Sequence, residues 1–70
     1  MTIRDLMEQF EIQGAYYIKA WNNDYDTYTT LAEGKDFESE KYKINSKYLD
    51  TKITYMYALD KVLNIEVELV

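Results

Sequence analysis

The sequence predicts an α+β domain of two layers: an N-terminal helix packed on a four-stranded antiparallel sheet made of two hairpins, with a short helical turn in the connection. Three observations predict it. Apolar residues at the amino end recur at helical spacing. Two later stretches are rich in β-branched and aromatic residues, and each is broken once by a polar turn. The chain also has no proline and only two glycines, which leaves little room for loops.

The helix is read from MTIRDLMEQF. Ile3, Leu6, Met7 and Phe10 fall at the i, i+3, i+4, i+7 positions of one face, and Arg4, Asp5, Glu8 and Gln9 point elsewhere. Thr2 and Asp5 make a T-x-x-D start signal, whose hydroxyl and carboxylate can satisfy free backbone donors of the first turn. A helix this short is not stable alone, so its apolar stripe is expected to lie on the sheet.

The first hairpin is read from EIQGAYYIKAW and TYTTLAEG around the polar turn NNDYD, with Gly14 marking a bulge or a close approach by the helix. Tyr16 and Ile18 alternate with Tyr17, Lys19 and Trp21, so one of these two sets is buried. The charged segment KDFESEKYKINSKYLD has no clean period, and a helical turn is expected near Ser46 to Asp50, with Tyr48 and Leu49 under the sheet.

The closing hairpin runs from Thr51 to Leu69, and its register hangs on the loop at Asp60-Lys61. A loop of even length pairs Ala58 with Leu63, Met56 with Ile65 and Thr54 with Val67, turning Ile53, Tyr55 and Tyr57 outward beside Asn64, Glu66 and Glu68. An odd loop would bury those tyrosines instead. The even loop is the expectation, because the odd one sets Thr54, Met56 and Ala58 beside glutamates.

Size and composition limit the chemistry. The sequence reads as a single domain over residues 1–70, and a chain of this length buries only about 60% of its unfolded surface, so reinforcement is expected. With no cysteine and no histidine, neither disulfides nor the stronger transition-metal ligands can supply it, which leaves good packing or self-association. A hydrophobic fraction of 47% is too high for a disordered chain. No apolar run approaches the ~20 residues of a membrane span and no signal pattern opens the chain, so a cytoplasmic location is expected.

Thirteen acidic against eight basic residues give a net charge of −5, which opposes direct binding to nucleic acid and favours a protein partner with a basic surface. One partial metal motif stands in the first hairpin. Asn22, Asp24, Asp26, Tyr28 and Glu33 fall at positions 1, 3, 5, 7 and 12 of a calcium loop, but Thr27 replaces the required glycine and the flanks read as strands, so neither a metal nor a cofactor is expected. Paired carboxylates at Glu66 and Glu68, or at Glu38 and Glu40, lack a pocket to shift their ionisation, and no nucleophile–base spacing or glycine-rich phosphate loop is present. An enzyme is not expected. The candidate contacts are surface residues: Asp24, Tyr25, Asp26 and Tyr28 of the first hairpin; Glu33, Asp36, Glu38 and Glu40 around Phe37, an apolar anchor, in EGKDFESE; and Tyr55 and Tyr57.

The frame MTIRDLMEQFEIQGAYYIKAW, followed by YTTLAEGKDFE and YLDTKITYMYALDKVLNIEVEL, resembles small uncharacterised proteins carried on phages and conjugative elements of Gram-positive bacteria. Some small acidic proteins of such elements are anti-CRISPR or antirestriction inhibitors. The resemblance therefore implies a non-enzymatic protein that binds and inhibits a nucleic-acid-processing protein, such as a CRISPR effector nuclease. The alternative is a structural domain that forms a homodimer by pairing edge strands or stacking Tyr55 and Tyr57 across a two-fold axis.

Overall fold

The computed structural model describes residues 1–69. Helix α1 spans Ile3–Gln9 and is followed by strands β1 (Ala15–Asn22) and β2 (Thr27–Gly34). A single helical turn α2 (Phe37–Glu40) and two 3₁₀ turns (Lys41–Lys43 and Ser46–Tyr48) lead to strands β3 (Lys52–Leu59) and β4 (Val62–Glu68).

The start signal of α1 closes as a capping box: the Thr2 hydroxyl accepts from the Asp5 N–H at 3.2 Å and the Asp5 carboxylate accepts from the Thr2 N–H at 3.0 Å. The free Ile3 and Arg4 amides donate to the carbonyls of Thr51 and Leu49, tying the helix to the entrance of β3. Ile3 and Leu6 are buried and Met7 packs against them. Phe10 departs from the expected stripe. The backbone is extended there, no basic residue in the last turn prolongs the helix, and the ring is 51% exposed.

The sheet order is β2-β1-β4-β3, and this corrects the antiparallel expectation. Each hairpin is antiparallel, but β1 and β4 run parallel, with Tyr16 beside Leu63, Ile18 beside Ile65 and Ala20 beside Val67. Short turns impose antiparallel pairing within each hairpin, whereas residues 35–51 form a crossover that carries the chain from the end at which β1 begins, where β2 finishes, to the opposite end, so that β3 runs back and β4 starts beside Ala15. The two inner strands supply Tyr16, Ile18, Ala20, Ile65 and Val67 to the buried core, together with Phe37 and Ile44 from the crossover and Ile3 and Leu6 from α1.

Phe37 is fully buried, with its ring edge-on to Tyr16 at 5.3 Å. The expectation of an exposed apolar anchor is therefore corrected: the crossover needs one large side chain to fill the space over β1, and Phe37 is that side chain. Its amide donates to the Gly14 carbonyl at 2.9 Å. Gly14 is not a bulge, and space for a side chain is open there; it takes a φ of +92° just before β1, a conformation that suits glycine. The turn expected near Ser46 is present, capped by the Asn45 side chain, and Leu49 packs against the core.

The second hairpin takes the even loop. Leu59 pairs with Val62 across Asp60-Lys61, whose φ angles of 51° and 65° are those of a type I′ turn built without glycine. Ala58 then faces Leu63 and Met56 faces Ile65, as expected. Beyond Tyr55 the register slips, so that Ile53, not Thr54, pairs with Val67. Ile53 thus joins the core side, which corrects its expected outward place. A bulged residue moves every side chain beyond it to the other face, and the Thr54 hydroxyl marks the bulge by donating to the Glu66 carbonyl at 3.1 Å.

Two outcomes are expected from this architecture. Replacing Asp60-Lys61 with Asn-Gly should raise stability by about 1 kcal/mol, chiefly because glycine at position 61 has no side chain to strain in left-handed backbone, read as a higher urea midpoint at unchanged slope. Phe37→Ala should cost about 3–5 kcal/mol, enough to leave so small a domain largely unfolded by circular dichroism at 25 °C.

Candidate protein-binding face

Helix α1 and the crossover cover one face of the sheet and leave the other open. Strand alternation sends Tyr17, Lys19 and Trp21 of β1 to the open face, opposite the buried Tyr16, Ile18 and Ala20. Tyr28 and Thr30 join them from β2, Asn64, Glu66 and Glu68 from β4, and Tyr55 and Tyr57 from β3.

Lys19 is the hub of this face. Its ammonium donates to the Tyr57 hydroxyl at 2.8 Å and lies 4.5 Å, 5.4 Å and 5.6 Å from the ring centroids of Tyr28, Tyr57 and Tyr17. The hydrogen bond to Tyr57 raises the Lys19 pKa against the opposing effect of desolvation, so the cation persists among the rings. The Tyr28 hydroxyl donates to Glu66 Oε1 at 2.9 Å, and this bond raises the phenol's pKa, keeping it a donor. Tyr17 and Thr30 hydroxyls meet at 2.6 Å, and Trp21 packs edge-on to Tyr28 at 5.0 Å. Four strands are thereby laced together on the side that no helix covers. Trp21 and Tyr28 nevertheless remain 43% exposed and Tyr55 66% exposed.

The other predicted contacts divide sharply. Asp24, Tyr25 and Asp26 form the exposed tip of the first hairpin, where the Asn22 side chain accepts from the Asp24 amide at 3.0 Å and Asp26 takes a left-handed φ of 49°. The calcium spacing does not close into a loop, because Glu33 stands near the far end of β2, about 20 Å from the tip at the rise of a strand. Glu33 is exposed and pairs across the sheet with Tyr17, and Asp36 is exposed at the start of α2.

Glu38 and Glu40 are half-buried and already bonded within the fold. Glu38 accepts from the Ile12 amide at 2.9 Å and from the Lys41 ammonium at 2.9 Å, and one Glu40 oxygen accepts from the amides of Lys35 and Asp36 at 2.9 Å and 2.8 Å. The charged run EGKDFESE is thus largely a cap for its own turn. In the other direction, Lys19 and Trp21 join the face without having been named as contacts, although the alternation Tyr17, Lys19, Trp21 against Tyr16, Ile18 carries the signal, while Glu66 and Glu68 stand beside the outward tyrosines as the even loop implies.

Among the described residues no cluster of three or more acidic side chains is placed to hold a metal ion, and no helix is long and apolar enough to cross a membrane. The sequence matches no family model, and neither curated proteins nor solved structures give a match. The surface itself is the guide to function.

The Ile12 amide, and then Lys41, hold the Glu38 carboxyl below its ordinary range. A lowered folded pKa stabilises the fold fully above the unfolded value, and that stabilisation disappears as pH falls through the folded value. Asp5 and Asp50 are held down likewise, by the Thr2 amide and the Arg4 side chain, so acid should weaken the fold through all three. In Glu38→Gln the acid-induced loss should shrink in part: the stability gap to the parent, measured by urea unfolding, is expected to be smaller at pH 3 than at pH 7.

Proposed function

We propose that this chain is a non-enzymatic binding module that docks its open sheet face and acidic hairpin tip onto a basic surface of another protein. The observation that carries the reading is the open face. It exposes Trp21, Tyr28 and Tyr55 beside Glu66 and Glu68, with Tyr28 held by its bond to Glu66 and by Lys19, and Trp21 packed edge-on to Tyr28. Exposed Trp and Tyr are the side chains that most often carry binding energy at protein interfaces, and rings held in place lose little freedom on docking. The net charge of −5, with Asp24 and Asp26 projecting from the tip, would steer encounter with a cationic partner.

The partner class that fits is a nucleic-acid-processing protein, whose basic surface the module would occupy in place of nucleic acid. Inhibition of a nuclease of the CRISPR effector type is the sharpest form of this proposal. With Glu38 and Glu40 engaged in the fold, the acidic contribution comes from Asp24, Asp26, Glu33, Asp36, Glu66 and Glu68.

A second reading, homodimer formation, is favoured by one observation. Along β3 the segment Ile53–Leu59 carries no charge, β3 is an edge strand, and Met56 and Leu59 are 46% and 59% exposed. Light scattering over a concentration series separates the two, since a mass that stays monomeric removes the dimer.

Affinity capture from a host lysate, followed by competition with DNA or guide RNA, tests the first reading. Partner affinity should fall as salt rises from 50 to 300 mM, Asp24→Asn/Asp26→Asn should slow association, and Tyr55→Ala should speed dissociation by about tenfold. Affinity independent of ionic strength would sink the electrostatic mechanism.

A further inference from the structure

On the open face a groove of about 410 Å³ runs between Trp21, Tyr28 and Tyr55 and is bordered by Glu66 and Glu68. That volume lies at the small end of ligand-binding clefts, suited to one side chain rather than a cofactor. Glu68 has no hydrogen-bond or ion-pair partner among the described residues, although Lys52 stands opposite it across the hairpin, and the only side-chain bond to Glu66 is that of Tyr28 to Oε1. The groove therefore joins unpaired negative charge to exposed aromatic rings. Immediately beside it the same face holds a cation in this manner, the Lys19 ammonium among Tyr17, Tyr28 and Tyr57.

We propose that this groove binds an arginine side chain of the partner protein, its guanidinium stacked on Trp21 or Tyr55 and hydrogen-bonded to Glu66 and Glu68. The inference rests on the protein-binding reading above and names the chemistry of its site. Glu66 and Glu68 project from the same side of β4 about 6.6 Å apart at the rise of a strand, a spacing that a planar, forked guanidinium can bridge. A compact ammonium reaches one carboxylate at a time and is more strongly hydrated, so lysine should fit less well. Nucleobases would meet the same rings, but the two carboxylates repel the phosphates that accompany them.

The only tryptophan of the chain, Trp21, lines the groove and reports on it. The peptide acetyl-Gly-Gly-Arg-Gly-Gly-amide should change Trp21 fluorescence saturably, its lysine counterpart should bind at least about fivefold more weakly, and the uncharged citrulline counterpart should give no response. Glu68→Gln and Tyr55→Ala should each weaken arginine binding about five- to tenfold while the urea midpoint stays near that of the parent, which separates lost binding from lost folding. Equal responses to arginine and citrulline, or unchanged binding in both variants, would overturn the groove. So would a Trp21 response to oligothymidylate without one to arginine, which would assign the face to base stacking. The broader reading is tested apart from the groove through Asp24→Asn/Asp26→Asn: partner binding that depends on the tip, with no arginine response, overturns the groove and leaves the basic-partner reading standing.

Discussion

The parallel pairing of β1 with β4 is the constraint on which the rest of the structure depends. It places the two strands richest in buried residues at the centre of the sheet, where both edges are hydrogen-bonded, and pushes β2 and β3 to the rims. It also obliges the chain to travel between the hairpins over one face only. Residues 35–51 and α1 share that task, with Phe37 filling the space above Tyr16 and Ile3 and Leu6 closing the other part of the core. Among the described residues no further helix covers the second face, so its side chains must be stable against water.

Tyrosine solves this second problem. Tyr17, Tyr28 and Tyr57 offer apolar area to one another and to the Lys19 stem, while their hydroxyls reach Thr30, Glu66 and the Lys19 ammonium. A lysine in the middle of a sheet costs little when three rings and a hydroxyl receive its charge. The same arrangement leaves Trp21 and Tyr55 exposed with the two β4 carboxylates, so structural support and contact surface are contiguous parts of one layer.

Much of this was legible in the sequence, because local rules govern it. The capping residues of α1 and the polar tips of both hairpins follow from neighbouring residues alone, whereas the even loop at Asp60-Lys61 and the outward turn of Tyr55 and Tyr57 rest on a preference drawn from the cross-strand neighbours each register would give, since no glycine marks the turn. What escaped depended on distant partners. Period-2 alternation is the same for parallel and antiparallel neighbours, so it is silent on how the hairpins join. The bulge at Thr54 leaves no mark in composition, yet it carried Ile53 to the other face. Phe37, Glu38 and Glu40 looked like surface because their run is charged, whereas the amides of Lys35, Asp36 and Ile12 consume those carboxylates and Tyr16 receives the ring. Alternation put Lys19 in one set with Tyr17 and Trp21, but nothing local shows that Tyr28 and Tyr57, from two other strands, close around its ammonium.

The first and last strands meet across about two thirds of the chain: Ala15 lies beside Val62, 47 residues further on among 70. Contacts of such long range are slow to form, since the loop between them must close before they are rewarded. Either hairpin can form within microseconds, but neither has a core until β4 slots beside β1. During synthesis one edge of β1 therefore waits for its partner until residues 62–68 have been made. Folding is then a late, single event. The uncharged edge of β3 appears just before that event, which makes the interval between β3 and β4 the moment when this protein is most exposed to misassociation.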